Sequence, residues 1–215
     1  MLLKSELPIK AITAETFDQR VDSARLIVAD LMGPKVMELD NGNMIKIFRR
    51  KRLFSSALFA PYAIRFTNNA FRLKELGIPT ITPVELSHCR QRKTYVIEYQ
   101  PLPGKLLRGL LVESNNDALF QQTAKFIADL HNKGVYFRSL HFENIVYHDD
   151  RAGLIDIADM KIYRKPLSQT LRKRNFHHFM RYPADAGLIN GFGVDRFEKA
   201  YQQHLLAGKA GDHSS

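Results

Sequence analysis

The stretch from Gly134 to Asp156 constrains this chain more than any other. It reads Gly-Val-Tyr-Phe-Arg-Ser-Leu-His-Phe-Glu-Asn-Ile-Val-Tyr-His-Asp-Asp-Arg-Ala-Gly-Leu-Ile-Asp. A helix leads into it: Leu119, Phe120, Thr123, Phe126, Ile127 and Leu130 recur at spacings of three and four, and Gly134 stands at the stop position. The apolar runs that follow are too short for helices and read as strands. Between them a tight turn presents Arg138, Ser139, His141, Glu143 and Asn144. A hairpin over Asp149-Asp150-Arg151-Ala152-Gly153 then returns the chain, and the next apolar run ends on Asp156.

The rest of the chain divides by pattern. Residues 1 to about 20 are weakly patterned and are expected to be peripheral. Arg25–Ala29, Lys35–Leu39 and Met44–Phe48 read as a three-stranded meander, its second turn fixed by Asp40-Asn41-Gly42-Asn43, because Asn-Gly accepts positive φ. Ser55 to Leu76 reads as a helix closed by Gly77, Ile78 to Leu86 as extended, and Thr94 to Tyr99 as a strand. The break Gln100-Pro101-Leu102-Pro103-Gly104 is the linker candidate. Beyond it, a short helical piece over Leu106–Leu111 precedes the longer helix, which Asn115, Asn116 or Asp117 caps. From Leu167 the tail reads as two helices, the last from about Val194 to Leu206 with Phe197, Tyr201 and Leu205 on one stripe. The expected fold is α+β in two lobes: a small strand-rich N-lobe over 1–100 with one long helix, and a reduced helical C-lobe over 101–215, together one domain.

Composition narrows the classes. With 215 residues and 45% apolar content the chain can build a real core. No apolar run reaches the length of about 18 residues that spans a bilayer, and Lys4, Glu6 and Lys10 interrupt the start, so neither a signal peptide nor an anchor is expected. The single cysteine, Cys89, excludes an internal disulfide framework and suits a reducing compartment. The net charge of +10 favours phosphate-rich or anionic partners. It is clustered in Lys46–Arg52 and Arg164–Arg174, without the aromatic interleaving or motifs of a nucleic-acid reader, so no specific nucleic acid is expected.

Phosphoryl transfer from ATP needs a cation on the phosphates, a metal held by an acid and an amide, and a group that orients the acceptor hydroxyl. Lys46 on the third strand, Asn144 in the turn and Asp156 at the end of the following strand supply these in order, with Asp159 as a secondary metal candidate. With Met44–Arg50, Leu76–Pro79, Tyr99–Gly104, Gly134–His141, Asn144-Ile145 and Leu154–Asp156, the chain resembles the bacterial lipopolysaccharide core kinase group of the protein-kinase-like superfamily, over roughly residues 25 to 182. Within that group it looks like the branch labelled toluene tolerance proteins. The resemblance implies a compact protein-kinase-like fold and ATP and Mg2+ as cofactors, with Lys46, Asn144 and Asp156 on the nucleotide and Asn144 and Asp156 on the metal. It further implies an anionic envelope glycolipid or sugar acceptor and a cytoplasmic location with peripheral contact at the anionic inner membrane.

Three departures accompany the resemblance. Only Gly33, beside Pro34, stands where a glycine-rich phosphate loop is expected, which shifts phosphate grip toward Lys46 and Arg49. No mid-helix glutamate follows Lys46; Asn68 and Asn69 occupy that place, with Glu38 and Glu98 as substitutes. Ser139 stands where the resemblance places the catalytic aspartate, and a serine hydroxyl is no base near pH 7. His141 is the expected replacement and Glu143 the second candidate, with Arg138 beside them. On this reading Ser139→Asp restores a carboxylate and speeds transfer. The alternative is a nucleotide-binding pseudokinase that acts as a scaffold.

Overall fold

The computed structural model describes residues 4–49, 61–114 and 116–211. The chain splits into two compact units, Met1–Glu75 with Thr80–Leu102, and Leu76–Pro79 with Pro103–Ser215.

Among its described residues, the first unit is a six-stranded sheet with a helix on each face. Its strands are β1 (Ile9–Ile12), β2 (Arg25–Asp30), β3 (Gly33–Glu38), β4 (Met44–Arg49), β5 (Thr82–Cys89) and β6 (Thr94–Gln100). Their order in the sheet is β1-β5-β6-β4-β3-β2. The meander β2-β3-β4 forms as the turn residues predict, with the tight turn closed by Gly42 N to Leu39 O at 2.9 Å. Alternation along β4 divides the faces. Ile45 and Ile47 join Met37, Val96, Cys89, Ile12 and Phe17 in a buried cluster beneath α1 (Ala14–Asp22). The opposite face meets α2 (Tyr62–Glu75), where Phe66 packs 5.7 Å from the Phe48 ring and 5.5 Å from Tyr99.

Residues 9–22 are not a loose periphery but form the edge strand of the sheet and the helix that follows it. Ile9 to Ile12 pairs parallel with Leu86 to Cys89, and Thr13 caps α1 by accepting from Thr16 N at 3.1 Å. Glu85 on β5 accepts from Lys10 at 3.1 Å and from Arg20 at 2.7 Å, tying strand and helix to the sheet. Polar spacing hides this role: a four-residue strand and a nine-residue helix each bury one or two apolar groups, too few to make a periodic stripe. The predicted helix start at Ser55, and Arg50, Lys51 and Arg52, lie outside the described residues, as does the Asn115 cap candidate.

The second unit is mostly helical. The short β7 (Lys105–Leu106) leads into α3 (Leu107–Glu113), and α4 (Asp117–Asn132) follows, capped by Asn116, whose side chain accepts from Leu119 N. Then come β8 (Val135–Phe137), β9 (Ile145–His148), β10 (Arg151–Leu154) and β11 (Met160–Ile162). They form a three-stranded sheet in the order β10-β9-β7 and a two-stranded ribbon β11-β8. The tail holds three helices where two are predicted: α5 (Gln169–Phe179), α6 (Pro183–Phe192) and α7 (Val194–Gly211). Pro183 at the first turn of α6 restarts the helix that the sequence pattern runs together with its neighbour.

Gly134 shows why the turn into β8 is so tight. Its φ is +75°, and a Cβ there would meet the carbonyl oxygen of Tyr163 at 2.4 Å and that of Lys165 at 2.6 Å. The residue is a glycine because two backbones touch at this point.

Candidate active site

In the first unit the β4 register sets Lys46 opposite Ile97 and Val36, on the α2 face. The side chain is 6% exposed, and its Nζ lies 5.3 Å from the Phe66 ring centre and 5.7 Å from Phe48. Two aromatic faces thus form part of the ammonium's surroundings. The glutamates considered as its partners are engaged elsewhere. Glu98 accepts from Asn43 Nδ2 at 2.7 Å and pairs in register with Ile45, on the other face of the sheet. Glu38 pairs with Arg25. Asn68 serves a different purpose. Its Nδ2 donates to Lys4 O at 2.7 Å and its Oδ1 accepts from Glu6 N at 2.9 Å, which fastens the segment ahead of β1 to α2. At the β2–β3 turn Gly33 has φ +101°, and the Arg49 guanidinium lies 3.8 Å from where its Cβ would stand. Arg49 therefore sits against the β2–β3 turn.

In the second unit the turn after β8 is held from three sides. Asn144, 7% exposed, donates from Nδ2 to the carbonyl of Ser139 at 2.8 Å, while its own N–H reaches His141 O at 2.9 Å. That closes the turn on itself and leaves Asn144 Oδ1 as an acceptor. From α6, Asp185 Oδ2 accepts from Phe142 N at 2.7 Å. Asp185 is 2% exposed; burial raises its pKa, against the opposing pull of the Phe142 amide, His141 and Arg108. From α5, Asn175 brackets the last residue of β8, its Nδ2 donating to Phe137 O at 2.6 Å and its Oδ1 accepting from Phe137 N at 3.3 Å.

Ser139 is not isolated in this turn. The β8–β11 ribbon pairs Phe137 with Met160, so the residue before Met160 lies beside the residues after Phe137. Ser139 Oγ donates to Asp159 Oδ2 at 2.5 Å. The other carboxylate oxygen, Asp159 Oδ1, is buried and has no hydrogen-bond partner among the described residues.

The structure gives the other candidates distinct places. The His141 ring packs 4.4 Å from Tyr182. Burial lowers its pKa, opposed by the carboxylates of Asp185, Glu143 and Asp156, so the imidazole is neutral near pH 7. Glu143 accepts from Arg108 at 2.5 Å. Asp156 adopts the left-handed conformation, φ 52° and ψ 42°, a strained backbone for a residue with a side chain. Arg138 is exposed beside Ser139. Ser139, His141, Asn144 and Asp156 thus all lie in the second unit.

Sequence reasoning gives Asp159 only a minor place and misses Asp185. The signal for Asp185 is present: a proline at the first position of a helix with an acid two residues on marks a helix start that presents a carboxylate. The donor set suits a hard cation. An amide oxygen at Asn144 and a carboxylate at Asp156 are oxygen ligands of the kind magnesium takes when phosphates and waters complete its shell.

No family model matches the chain. A curated relative, CBL-interacting protein kinase 1 of Oryza sativa subsp. japonica, is 29% identical over 145 residues, 60% of this chain and 31% of that protein. The chain therefore spans less than a third of that relative's length. A solved structure described as WaaP in complex with acyl carrier protein aligns over 91% of this chain and 87% of its own, with a TM-score of 0.58 and 19% identity. The fold is kinase-like.

Proposed function

We propose that the chain is an ATP-dependent phosphotransferase of the lipopolysaccharide core kinase group, in its toluene tolerance branch, acting on a core sugar or a related envelope acceptor. The observation that carries the reading is the Ser139–Asn144 turn. Its amide, its neighbouring carboxylates and its backbone hydrogen bonds are arranged as a site for metal and hydroxyl, on a fold like that of WaaP. A scaffold has no use for a carboxylate held at 2.5 Å from the serine in the acceptor position, which favours the enzyme over the pseudokinase.

In this reading Lys46 and Arg49 bind the phosphates, and Asn144 Oδ1 and Asp156 hold the magnesium. When bound, that ion neutralises charge on the phosphates as the terminal one is transferred. The acceptor is anionic and meets a cationic surface beside the turn. The Asn175–Phe137 clamp sets α5 against the end of β8, so Arg174, His177 and His178 stand near Arg138. Arg181 Nη1 lies 3.5 Å from His178 Nδ1. The pKa of His178 is lowered, by burial first and then by Arg181, Arg138, Arg174 and His177. Arg138, Arg174 and Arg181 have no carboxylate partner among the described residues. Among those residues no helix is long and apolar enough to cross a membrane. The same basic surface supports a peripheral, cytoplasmic role at the inner membrane.

The test is thermal. Millimolar ATP with magnesium raises the melting temperature, because a ligand that binds only the native state stabilises it. Asp156→Ala removes most of the magnesium dependence. A melting curve unmoved by ATP and magnesium in the folded wild-type protein overturns the reading.

A further inference from the structure

The 2.5 Å bond from Ser139 Oγ to Asp159 Oδ2 bears on the missing base. We propose that Ser139 and Asp159 act as a two-residue proton relay, with Ser139 touching the acceptor hydroxyl and Asp159 positioned behind it as the proton's destination. The inference rests on the phosphotransferase reading above and deepens it.

Three features of the second unit carry the relay. Asn144 fixes the Ser139 backbone through its carbonyl, which sets the direction of the side chain. Ser139 is half-buried, and its bond to Asp159 is not sealed in the core. A hydroxyl has one proton and two lone pairs; when the proton points to Asp159 Oδ2, the lone pairs remain for an incoming O–H. Asp159 itself cannot be a mere turn former. It uses Oδ2 on Ser139, while Oδ1 stays buried without a partner among the described residues. A carboxylate oxygen buried without a partner is destabilising, and catalytic use is one reason that proteins retain such atoms.

The step balances without any added reactant beyond the nucleoside triphosphate. The acceptor oxygen forms a bond to the terminal phosphorus as the bond from that phosphorus to the bridging oxygen breaks, and the nucleoside diphosphate leaves with the electron pair. The acceptor proton passes to Ser139 Oγ as the serine proton passes to Asp159 Oδ2. Serine needs no basicity of its own, because it gives up one proton while taking another. The sequence-based expectation for Ser139→Asp is thereby reversed. A carboxylate already stands at this point, and a second one against it repels.

The experiment uses full-length protein, ATP with magnesium, and glycerol as the hydroxyl probe, with phosphorylated glycerol read by phosphorus NMR. Ser139→Ala and Asp159→Asn each lower transfer, on the order of 10²-fold for a lost base. The double variant loses no more than either single one, since the two act as a unit. Ser139→Asp alone stays slow. Exchanging the pair, Ser139→Asp with Asp159→Ser, recovers transfer to within about tenfold of wild type, which a purely structural bond does not predict. Melting temperature and the ATP-induced shift accompany each variant. A silent Asp159→Asn, additive single effects, or an exchanged pair that folds and binds ATP but is as slow as Ser139→Asp overturns the relay. A wild type that binds ATP without transferring phosphate overturns the relay and leaves nucleotide binding standing; a wild type with no ATP-induced shift overturns both.

Discussion

His131 Nε2 lies 3.2 Å from Asn175 Oδ1, and its Nδ1 lies 2.8 Å from the Tyr201 hydroxyl. Asn175 Oδ1 also accepts from Phe137 N, so the histidine donates through Nε2 and accepts from Tyr201 through Nδ1. One neutral imidazole thereby joins α4, α5, α7 and the last residue of β8.

Protonation of that ring breaks the pattern. His131 is 2% exposed, and burial lowers its pKa from 6.5 to about 4. The unfolded chain takes up this proton first, so the stabilising contribution is complete above pH 6.5 and declines as pH falls toward 4. The loss over that window is about 3 kcal/mol at roughly 1.4 kcal/mol per pH unit. Urea unfolding at pH 7, 5.5 and 4 measures it. His131→Gln lowers stability at pH 7 and flattens the acid dependence; an equal slope in wild type and variant refutes the assignment.

Asn175→Leu removes both bonds to Phe137 and the one from His131 Nε2; Phe137 O keeps Leu140 N at 3.2 Å, but the Phe137 N–H and the His131 Nε2–H lose their acceptor. Each such group costs about 1–3 kcal/mol, so the loss for the two is about 2–6 kcal/mol by chemical denaturation. Because Phe137 immediately precedes Arg138 and Ser139, transfer to glycerol falls as well, even below the melting transition.

Gly134→Ala and Gly77→Ala separate two causes of glycine use. Both positions have positive φ, +75° and +68°, but only Gly134 faces carbonyl oxygens, at 2.4 and 2.6 Å from the added carbon. Gly77→Ala costs about 1–2 kcal/mol for the left-handed backbone alone. Gly134→Ala adds about 1–3 kcal/mol of overpacking. Melting temperatures in that order are expected; equal shifts speak against the backbone contact.

The kinase-type turn is the most legible part of the chain, because its residue order survives in one short segment whose strands and turns are set by local sequence. The meander is legible for the same reason: Asn41-Gly42 specifies a turn within four residues. The edge strand β1 is not, since its pairing with β5 is remote and its burial involves chiefly Ile12. The partner of Ser139 is hidden similarly. The turn ending at Asp159 gives no hint of Ser139 in its own sequence; only the antiparallel register of β8 and β11 brings them together.

Arg174→Ala with Arg181→Ala tests the anionic-acceptor surface. Both side chains are exposed, so stability changes little. The apparent KM for a phosphate-bearing sugar rises roughly tenfold, about the worth of one charge-assisted hydrogen bond. The KM for glycerol, which carries no charge, stays put. A matching rise for both acceptors places the arginines in folding or nucleotide binding instead.

The parallel pairing of β1 with β5 also governs assembly. During synthesis Ile9–Ile12 leaves the ribosome long before its partner Leu86–Cys89, and the meander between them can zip up from neighbouring segments alone. Closing so long a loop slows the last step of the sheet and leaves the outer edge of β5 open to wrong partners until it happens. Two tethers shorten the search once α1 exists: Lys10 and Arg20 converge on Glu85, so a single carboxylate on the waiting strand recruits both halves of the returning segment.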